Sequence, residues 1–132
     1  MSRIVYVNGE YVSEESAVIS VFDRGFLMAD AVYEVTSVLD GKLLEFDGHL
    51  KRLKRSLSEL DMQEPDAIND LLEIHRTLVR DNQVDQGGVY LQVTRGVADR
   101  DFIYPENVKS TLVMFTQSKD ILGSKLVEKG MK

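Results

Sequence analysis

The sequence predicts an α+β fold in which two helices pack on one face of an antiparallel sheet. Two turn signals support this prediction, because Asn8-Gly9 and Asp40-Gly41 each join two apolar segments at β-hairpin spacing. A third observation is the helical periodicity of the apolar residues between the second turn and Gly87-Gly88. Strands joined by hairpins and grouped around a helix pair are typical of an antiparallel sheet with one covered face.

The predicted strands are short runs rich in β-branched and aromatic residues, bounded by turn-forming residues. In chain order they span residues 4–7, 10–12, 16–22, 31–39, 42–46, 89–95 and 110–117. On the fourth of these strands, alternation places Tyr33 on one face of the sheet and Glu34 on the other. The phenol of Tyr33 is then expected near the start of the strand, beside a polar loop, and Glu34 is interpreted as structural.

The two predicted helices span residues 48–60 and the stretch from just after Pro65 to about Asp81. Asp47 is expected to cap the first helix. Each helix carries apolar residues at a spacing of three to four, which predicts packing against the sheet. The first apolar face consists of Leu50, Leu53, Leu57 and Leu60, and the second of Ile68, Leu71, Leu72, Ile74, Leu78 and Val79.

The composition excludes several classes of function. A length of 132 residues, with 43% hydrophobic and 29% charged residues, is typical of one soluble globular domain. The net charge of −6 argues against general nucleic-acid binding, and no apolar run is long enough to span a membrane. The lack of cysteine excludes disulfides and thiolate metal sites and favours a cytoplasmic location. No metal is expected, since His75 has no partner at metal-ligand spacing.

Three segments, in a fixed order, resemble one known family. They are the run from Asp23-Arg24-Gly25 to Tyr33-Glu34, the helix start from His49 to Leu53, and the run from Tyr90 to Gly96 with Arg100 and Tyr104-Pro105 after it. Together they cover nearly the whole chain and resemble the N-terminal domain of the class IV (fold type IV) pyridoxal-phosphate aminotransferases. The third segment is most similar to the D-amino-acid aminotransferase branch of that family.

The resemblance assigns a cofactor-binding role to Arg52. On the residues alone, His49 and Arg52 share one helix face, where helix packing and a surface ion pair are favoured over ligand binding. In the resembling family the matching arginine holds the phosphate of the cofactor, a task suited to a bidentate and permanently charged guanidinium. The matching histidine supports that site, so His49 is expected to be a support residue.

The resemblance also implies a substrate site. Tyr33 and Arg100 match residues that hold the substrate carboxylate in the D-amino-acid branch, where the arginine reaches across a dimer interface. Tyr90 is expected to be core or pocket wall, and Phe102 stands where that branch has a second, histidine ligand for the carboxylate. The phenylalanine removes one donor, which leaves the carboxylate to Arg100 and Tyr33 or changes the substrate preference.

Smaller features are interpreted as structural. Ala29 and Ala31 stand where the family often has glycine, and both alanines are expected to be tolerated. Arg95, at the end of a predicted strand, is expected to be an ion-pair partner. His75 is expected to be a surface or packing residue.

The domain organisation follows from the same resemblance. Residues 1–117 are predicted to form the N-terminal α+β domain, and residues 118–132 a linker to a C-terminal catalytic domain outside this sequence. The family's lysine that forms a Schiff base with the cofactor is expected beyond Lys132, so no catalytic residue is assigned within the chain. Lys125, Lys129 and Lys132 are interpreted as linker lysines, and the 132 residues alone are predicted to be inactive and without cofactor.

The implied function of the parent protein is transfer of an amino group from an amino acid, expected to be a D-amino acid, to a 2-oxo acid. Pyridoxal 5'-phosphate is the implied cofactor and a homodimer the implied assembly. Three alternatives stay open: a branched-chain aminotransferase, an aminodeoxychorismate lyase of the same fold, and a non-catalytic α+β binding or dimerisation module.

Overall fold

The computed structural model describes residues 2–130. Its strands are Ile4–Val7 (β1), Glu10–Ser13 (β2), Ala31–Leu39 (β3), Lys42–Leu43 (β4), Gly87–Thr94 (β5) and Thr111–Ser118 (β6). Its α-helices are Arg24–Met28 (α1), Phe46–Glu59 (α2), Leu71–Asp81 (α3) and Leu126–Lys129 (α4), with 3₁₀ turns at Glu14–Ser16 and Asp66–Asn69. The six strands form one sheet in the order β2-β1-β6-β5-β3-β4, and each neighbouring pair is antiparallel.

The two longer helices, α2 and α3, pack on one face of this sheet, as predicted. Leu53 and Leu57 of α2 and Leu78 of α3 are buried against it. Residues directly opposite each other on antiparallel strands point to the same side, so the core-facing positions can be followed across the sheet. One such row joins Tyr6, Met114, Leu91 and Glu34 on neighbouring strands.

Both predicted hairpins are confirmed. The pair β1–β2 turns at Asn8 and Gly9, with φ values of 48° and 99°, and the pair β3–β4 turns at Asp40 and Gly41, with φ values of 56° and 69°. Positive φ at both central residues is the type I′ requirement, which matches the right-handed twist of the strands. The sequence signal therefore located both turns correctly.

Two strand predictions are wrong in part or in full. Residues 16–22 form no strand. A 3₁₀ turn at Glu14–Ser16 follows β2 and a turn at residues 21–22 precedes α1, so the segment does not pair along the free edge of β2; Val18, Val21 and Phe22 are exposed. Of residues 42–46, only Lys42–Leu43 is a strand. Glu45 adopts a left-handed conformation that turns the chain into α2.

The helix boundaries also differ from the prediction. α2 begins at Phe46, so Asp47 lies in the first turn and does not cap the helix. Leu60 ends the helix and is 39% exposed, which removes it from the predicted core stripe. The second helix is divided, since a 3₁₀ turn at Asp66–Asn69 precedes α3 and Asp70 separates the two.

The end of the described chain is exposed. Residues of α4, which follows a stretch of bends after β6, are all solvent-accessible. No helix in the described residues is both long enough and apolar enough to span a bilayer. Lys125 and Lys129 lie in or beside α4, whereas Lys132 lies outside the described residues. The linker interpretation of residues 118–132 remains a prediction.

Ala29 adopts a strained backbone conformation, whereas both alanines were expected to be tolerated. It ends α1 in the left-handed region, at φ 55° and ψ 29°, whereas Ala31 lies in β3. Ala29→Gly is therefore expected to raise the free energy of unfolding by about 0.5–1 kcal/mol, because glycine adopts this conformation without the Cβ clash. Urea denaturation measures the change.

Ala31→Gly is the matched control for this prediction. Glycine within a strand loses more backbone freedom on folding and is expected to destabilise the protein by about 0.5–1 kcal/mol. Equal effects of the two substitutions would contradict the assignment of strain to Ala29.

Candidate functional site

A polar cluster joins β3 to the first turns of α2. Glu34 lies on the helix side of the sheet, and its carboxylate accepts hydrogen bonds from His49 and Arg52. His49 Nδ1 lies 2.6 Å from Oε1, while Arg52 Nε lies 2.8 Å from Oε2 and its second nitrogen, Nη2, 2.9 Å from Oε1. The structure thus brings together the predicted cofactor residue, its predicted support residue and a glutamate that the sequence analysis placed outside the site.

The electrostatics of this cluster favour the ion pair. Burial raises the pKa of the Glu34 carboxyl, but hydrogen bonds and charge from Arg52 and His49 outweigh burial and hold that pKa below its ordinary value. The hydrogen bond that Arg52 donates to Glu34 raises the pKa of Arg52, and the Glu34 charge adds to this effect. Glu34 therefore stays ionised at neutral pH and fixes the orientation of the guanidinium.

Arg52 also presents a polar edge to solvent. Its side chain is 66% exposed, and it donates one hydrogen bond to Glu34 from Nε and one from Nη2. A guanidinium has five N–H groups, so three remain for a ligand, two of them side by side on the outer edge. Arg52, Arg55 and Ser56 line an open groove of about 420 Å³ beside α2. This set of donors is suited to a phosphate or carboxylate.

Tyr33 and Tyr90 lie on the opposite, outer face of the sheet. Their rings stack with centroids 5.6 Å apart, and Tyr90 stacks in turn on Phe115 at 4.9 Å. Tyr33 is 64% exposed. Tyr90 is half-buried and lines an apolar groove of about 350 Å³, which makes it a groove wall and not a core residue. This face offers aromatic surface and phenol groups to a ligand.

A buried ion cluster connects the turn before β3 with the loop that carries Arg100. One oxygen of Asp30 accepts hydrogen bonds from Arg24 at 2.8 Å and from Arg95 at 2.7 Å. Arg24 also donates to the backbone oxygen of Asp101 at 2.7 Å, next to Arg100 in the chain. Arg95 is confirmed as an ion-pair partner, and its guanidinium lies 3.7 Å from the ring centroid of Tyr104. The cluster therefore anchors this loop at its start, through Arg95, and in its middle, through Asp101 and Tyr104.

Arg100 and Phe102 are exposed in that loop. The Arg100 guanidinium lies 5.2 Å from the centroid of the Phe102 ring, a cation–π distance, and Phe102 is 78% exposed. Within the described residues, no hydrogen bond joins Arg100 to Tyr33 or to Arg52. The structure joins Arg52 and His49 through Glu34, to which Arg100 donates no hydrogen bond in the described part of the chain.

Glu34 and Asp30 are the residues that the sequence reasoning missed. A signal for Glu34 was present, because strand alternation placed it on the face of Thr36 and Val38, where an unpaired carboxylate is costly. The next helix in the chain, α2, carries the basic residues His49 and Arg52, so their pairing with Glu34 could have been predicted. Asp30 offered no comparable signal, because one of its two partners, Arg95, lies 65 residues away in the chain.

The fold matches that of solved aminotransferases. A branched-chain amino acid aminotransferase of Escherichia coli superposes with a TM-score of 0.84 at 17% identity, covering 96% of this chain and 43% of that one. A branched-chain aminotransferase of the thermophilic archaeon Thermoproteus uzoniensis, solved with norvaline, gives 0.78 at 17% identity over 91% and 42% of the two chains. The arrangement is thus that of the N-terminal domain of a fold type IV aminotransferase.

Sequence comparison gives the family. The family described as "Amino-transferase class IV" matches residues 31–127, and the chain belongs to it. Its relatives include a D-alanine aminotransferase of Staphylococcus epidermidis, 40% identical over 117 residues, and one of Listeria monocytogenes, 34% identical over 118 residues. These alignments cover 88% and 89% of this chain, but 42% and 41% of the relatives. The chain therefore spans about two fifths of the length of those relatives.

Proposed function

We propose that these residues are the first domain of a pyridoxal-phosphate-dependent aminotransferase that acts on D-amino acids. The parent enzyme moves the amino group of a D-amino acid to a 2-oxo acid. In this proposal Arg52 binds the cofactor phosphate, while Tyr33 and Arg100 orient the substrate carboxylate. Residues 118–132 lead towards a second domain that supplies the lysine for the chemistry, so the 132 residues alone do not turn over substrate.

One observation supports the cofactor assignment most directly. Arg52 is held by two hydrogen bonds to a buried carboxylate, yet its outer edge faces an open groove. The outer edge therefore leaves charged N–H donors available to an anion. A pre-oriented guanidinium loses little side-chain freedom when a phosphate binds, which favours affinity.

The groove fits a phosphate group by its chemistry. Arg52 and Arg55 supply positive charge, and Ser56 supplies a hydroxyl that can donate to a phosphate oxygen. Glu59 also lines the groove, but it is directed to Arg55, with 4.0 Å between the charged atoms. When bound, pyridoxal phosphate supplies an electron sink for the carbon that loses its proton. The contribution of this domain is to hold the phosphate and to keep the Arg52 charge in place through Glu34 and His49.

The outer sheet face supports the substrate assignment. Tyr33 can donate a hydrogen bond to a carboxylate without adding a charge at neutral pH, and its stacking on Tyr90 fixes the ring. Arg100 can supply the opposite charge from a loop anchored by Arg24. The relatives with 34–40% identity bear the name D-alanine aminotransferase, which favours D-amino acids over other substrates.

A branched-chain aminotransferase is the second candidate. Phe102 places an exposed apolar ring beside Arg100, and such a ring suits an apolar substrate side chain better than a histidine does. This observation bears on the size and polarity of the substrate and not on its chirality. The two candidates therefore predict different orders of substrate preference, which a substrate panel measures.

The test compares substrates on the full-length parent enzyme with added pyridoxal phosphate and a 2-oxo acid acceptor. We expect kcat/KM for D-alanine to exceed that for L-leucine, L-valine and L-isoleucine at least about tenfold, a difference of about 1.4 kcal/mol in transition-state binding. The reverse order would establish the second candidate. Turnover by the 132 residues alone would contradict the assignment of the lysine to a second domain.

We also propose that the parent enzyme is a cytoplasmic homodimer. The segment after β5 exposes Val97, Phe102, Ile103 and Tyr104, which is more apolar surface than one loop normally leaves in water. A second subunit that covers this segment would also bring Arg100 towards a neighbouring site. Sedimentation of the parent enzyme at micromolar concentration measures the assembly, and a monomer would contradict it.

A further inference from the structure

Gln92 lies beside Tyr33 on the outer face of the sheet. It is the residue of β5 directly opposite Tyr33 of β3, so both side chains leave the sheet on the same side. The Cβ atoms of directly opposite residues are about 4.5–5.5 Å apart, so one small ligand can reach both side chains. Gln92 is half-buried and also lines the apolar groove of about 350 Å³. A group bound at Tyr33 is therefore within reach of the Gln92 amide.

Tyr90 orients that amide. The Tyr90 hydroxyl donates a hydrogen bond to Gln92 Oε1, with 3.1 Å between the two oxygens. Burial raises the pKa of Tyr90, and the neighbouring Tyr33 adds to this effect, so the hydroxyl keeps its proton at neutral pH. An amide that accepts through its oxygen has two N–H groups left on Nε2. Within the described residues these N–H groups have no hydrogen-bond acceptor, so they are available to a ligand.

The surface around Gln92 favours an anion. In the described structure, the alternate positions of β3, β5 and β6 that point outward carry no acidic side chain, although the chain has 22 acidic residues. A negatively charged group on these three strands therefore meets the donors of Tyr33 and Gln92 without repulsion from a carboxylate of the same strands.

We propose that Gln92 is a substrate-binding residue whose Nε2 donates a hydrogen bond to the substrate carboxylate, alongside the Tyr33 hydroxyl. A carboxylate has two oxygens, so it can accept from both donors at once. This inference rests on the proposed function, because it needs the substrate carboxylate at Tyr33. It does not depend on the chirality of the amino acid, since the carboxylate is common to both forms.

A purely structural role is the competing explanation. In that case Gln92 only accepts the hydrogen bond from Tyr90 and thereby holds the aromatic stack. Glutamate separates the two roles, because it has nearly the same shape and still accepts from Tyr90, but its ionised carboxylate has no N–H to donate and repels an anion. A structural role predicts that Gln92→Glu retains function, whereas a substrate-binding role predicts that it does not.

The test compares Gln92→Glu and Gln92→Leu in the full-length parent enzyme with added pyridoxal phosphate. We expect both variants to raise KM for D-alanine roughly 10- to 100-fold, because a hydrogen bond to a charged group is lost. The change in kcat should be less than about threefold, since the contact is made before and during the reaction. The inhibition constant of propionate, a carboxylate without an amino group, should rise with KM. If the unsubstituted enzyme prefers an L-amino acid, KM is measured with that substrate.

Gln117→Leu is the matched control. Gln117 is exposed on the same face of the sheet, opposite Gly88 and so about 13 Å along the strands from Gln92. Its substitution should leave KM and the inhibition constant of propionate unchanged. An unaltered KM in Gln92→Glu, or an equal rise in Gln117→Leu, would overturn the proposal.

The Kd of the cofactor shows whether the variants fold. Arg52 contacts Glu34 on the opposite face of the sheet, so Gln92→Glu should bind pyridoxal phosphate as tightly as the unsubstituted enzyme does. If Gln92→Leu does not fold, Gln92→Glu alone decides. An unsubstituted enzyme that turns over no amino acid would refute the proposed function and this inference with it. Normal turnover together with an unaffected Gln92→Glu would refute the inference alone.

Discussion

Asp30→Ala is expected to lower the free energy of unfolding by about 3–5 kcal/mol, a large part of the stability of a domain of this size. The Asp30 carboxylate is the shared partner of Arg24 and Arg95, whose side chains are 1% and 7% exposed. Removing the carboxylate leaves two buried guanidinium groups without a counter-charge. Urea denaturation followed by circular dichroism measures the change.

Asp66→Ala is the control for this prediction. Asp66 pairs with Lys109 at 3.2 Å, but both side chains are more than 80% exposed. A pair in water contributes at most about 1 kcal/mol, so this variant should unfold almost as the unsubstituted protein does. A loss of similar size in the two variants would show that burial of the Asp30 cluster does not determine its contribution.

The pH dependence of stability follows from Asp30 and from a second buried group, His75. Burial raises the pKa of Asp30, but hydrogen bonds from Arg95 and Arg24 outweigh burial, so its native pKa lies below the ordinary value of 3.8. The contribution of Asp30 is therefore complete above that value and is lost as pH falls through the lower, native pKa. Burial lowers the pKa of His75 from 6.5 to about 4. The unfolded protein therefore binds this proton at a higher pH than the native protein does, and the free energy of unfolding declines as pH falls between those two values.

Arg52→Met is expected to weaken binding of pyridoxal phosphate to the parent enzyme roughly 10- to 100-fold. The variant loses the charged donors at the outer edge of the guanidinium, and hydrogen bonds between charged groups are the stronger ones in proteins. Methionine keeps the length of the side chain and its packing along the helix. Titration of the cofactor-free enzyme, followed by the visible absorbance of the cofactor, gives the Kd.

Arg55→Met tests whether the effect is specific to the oriented guanidinium. Arg55 lines the same groove and its side chain is 80% exposed, but it makes no bond to Glu34. We expect less than about a threefold change in Kd, since a mobile surface charge contributes little. Equal losses in the two variants would mean that the groove attracts the phosphate by charge alone. No loss in either would contradict the assignment of Arg52.

Much of the fold was predictable because its signals are local. Each hairpin turn depends on two neighbouring residues that adopt positive φ, and the bounds of β3 follow from alternation over nine residues. The position of Arg52 in the first turns of α2, on the same helix face as His49, was predictable from helical spacing together with the family resemblance. In these cases the residues that carry the sequence signal and the structure that they form lie within one turn, strand or helix.

The errors have a different cause. Residues 16–22 have the composition of a strand, but composition does not decide which segments pair, and in the structure the outer edge of β2 stays unpaired. Asp30 and Arg95 are 65 residues apart in the chain, so no short sequence motif predicts their pairing. Glu34 is intermediate, because strand alternation predicts the face on which it lies but not its partners on α2. Contacts between residues far apart in the chain are therefore the feature that could not be predicted from a single sequence.

Adjacent residues of β3 point to the two opposite surfaces of one sheet. Tyr33 faces outward and Glu34 faces the helices, so a substitution of Tyr33 alters the outer surface without disturbing the packed interior. Under the proposed function, such a substitution would change substrate recognition while cofactor affinity is retained. The same geometry makes the strand intolerant of insertion or deletion, because a shift of one position would exchange the phenol and the carboxylate.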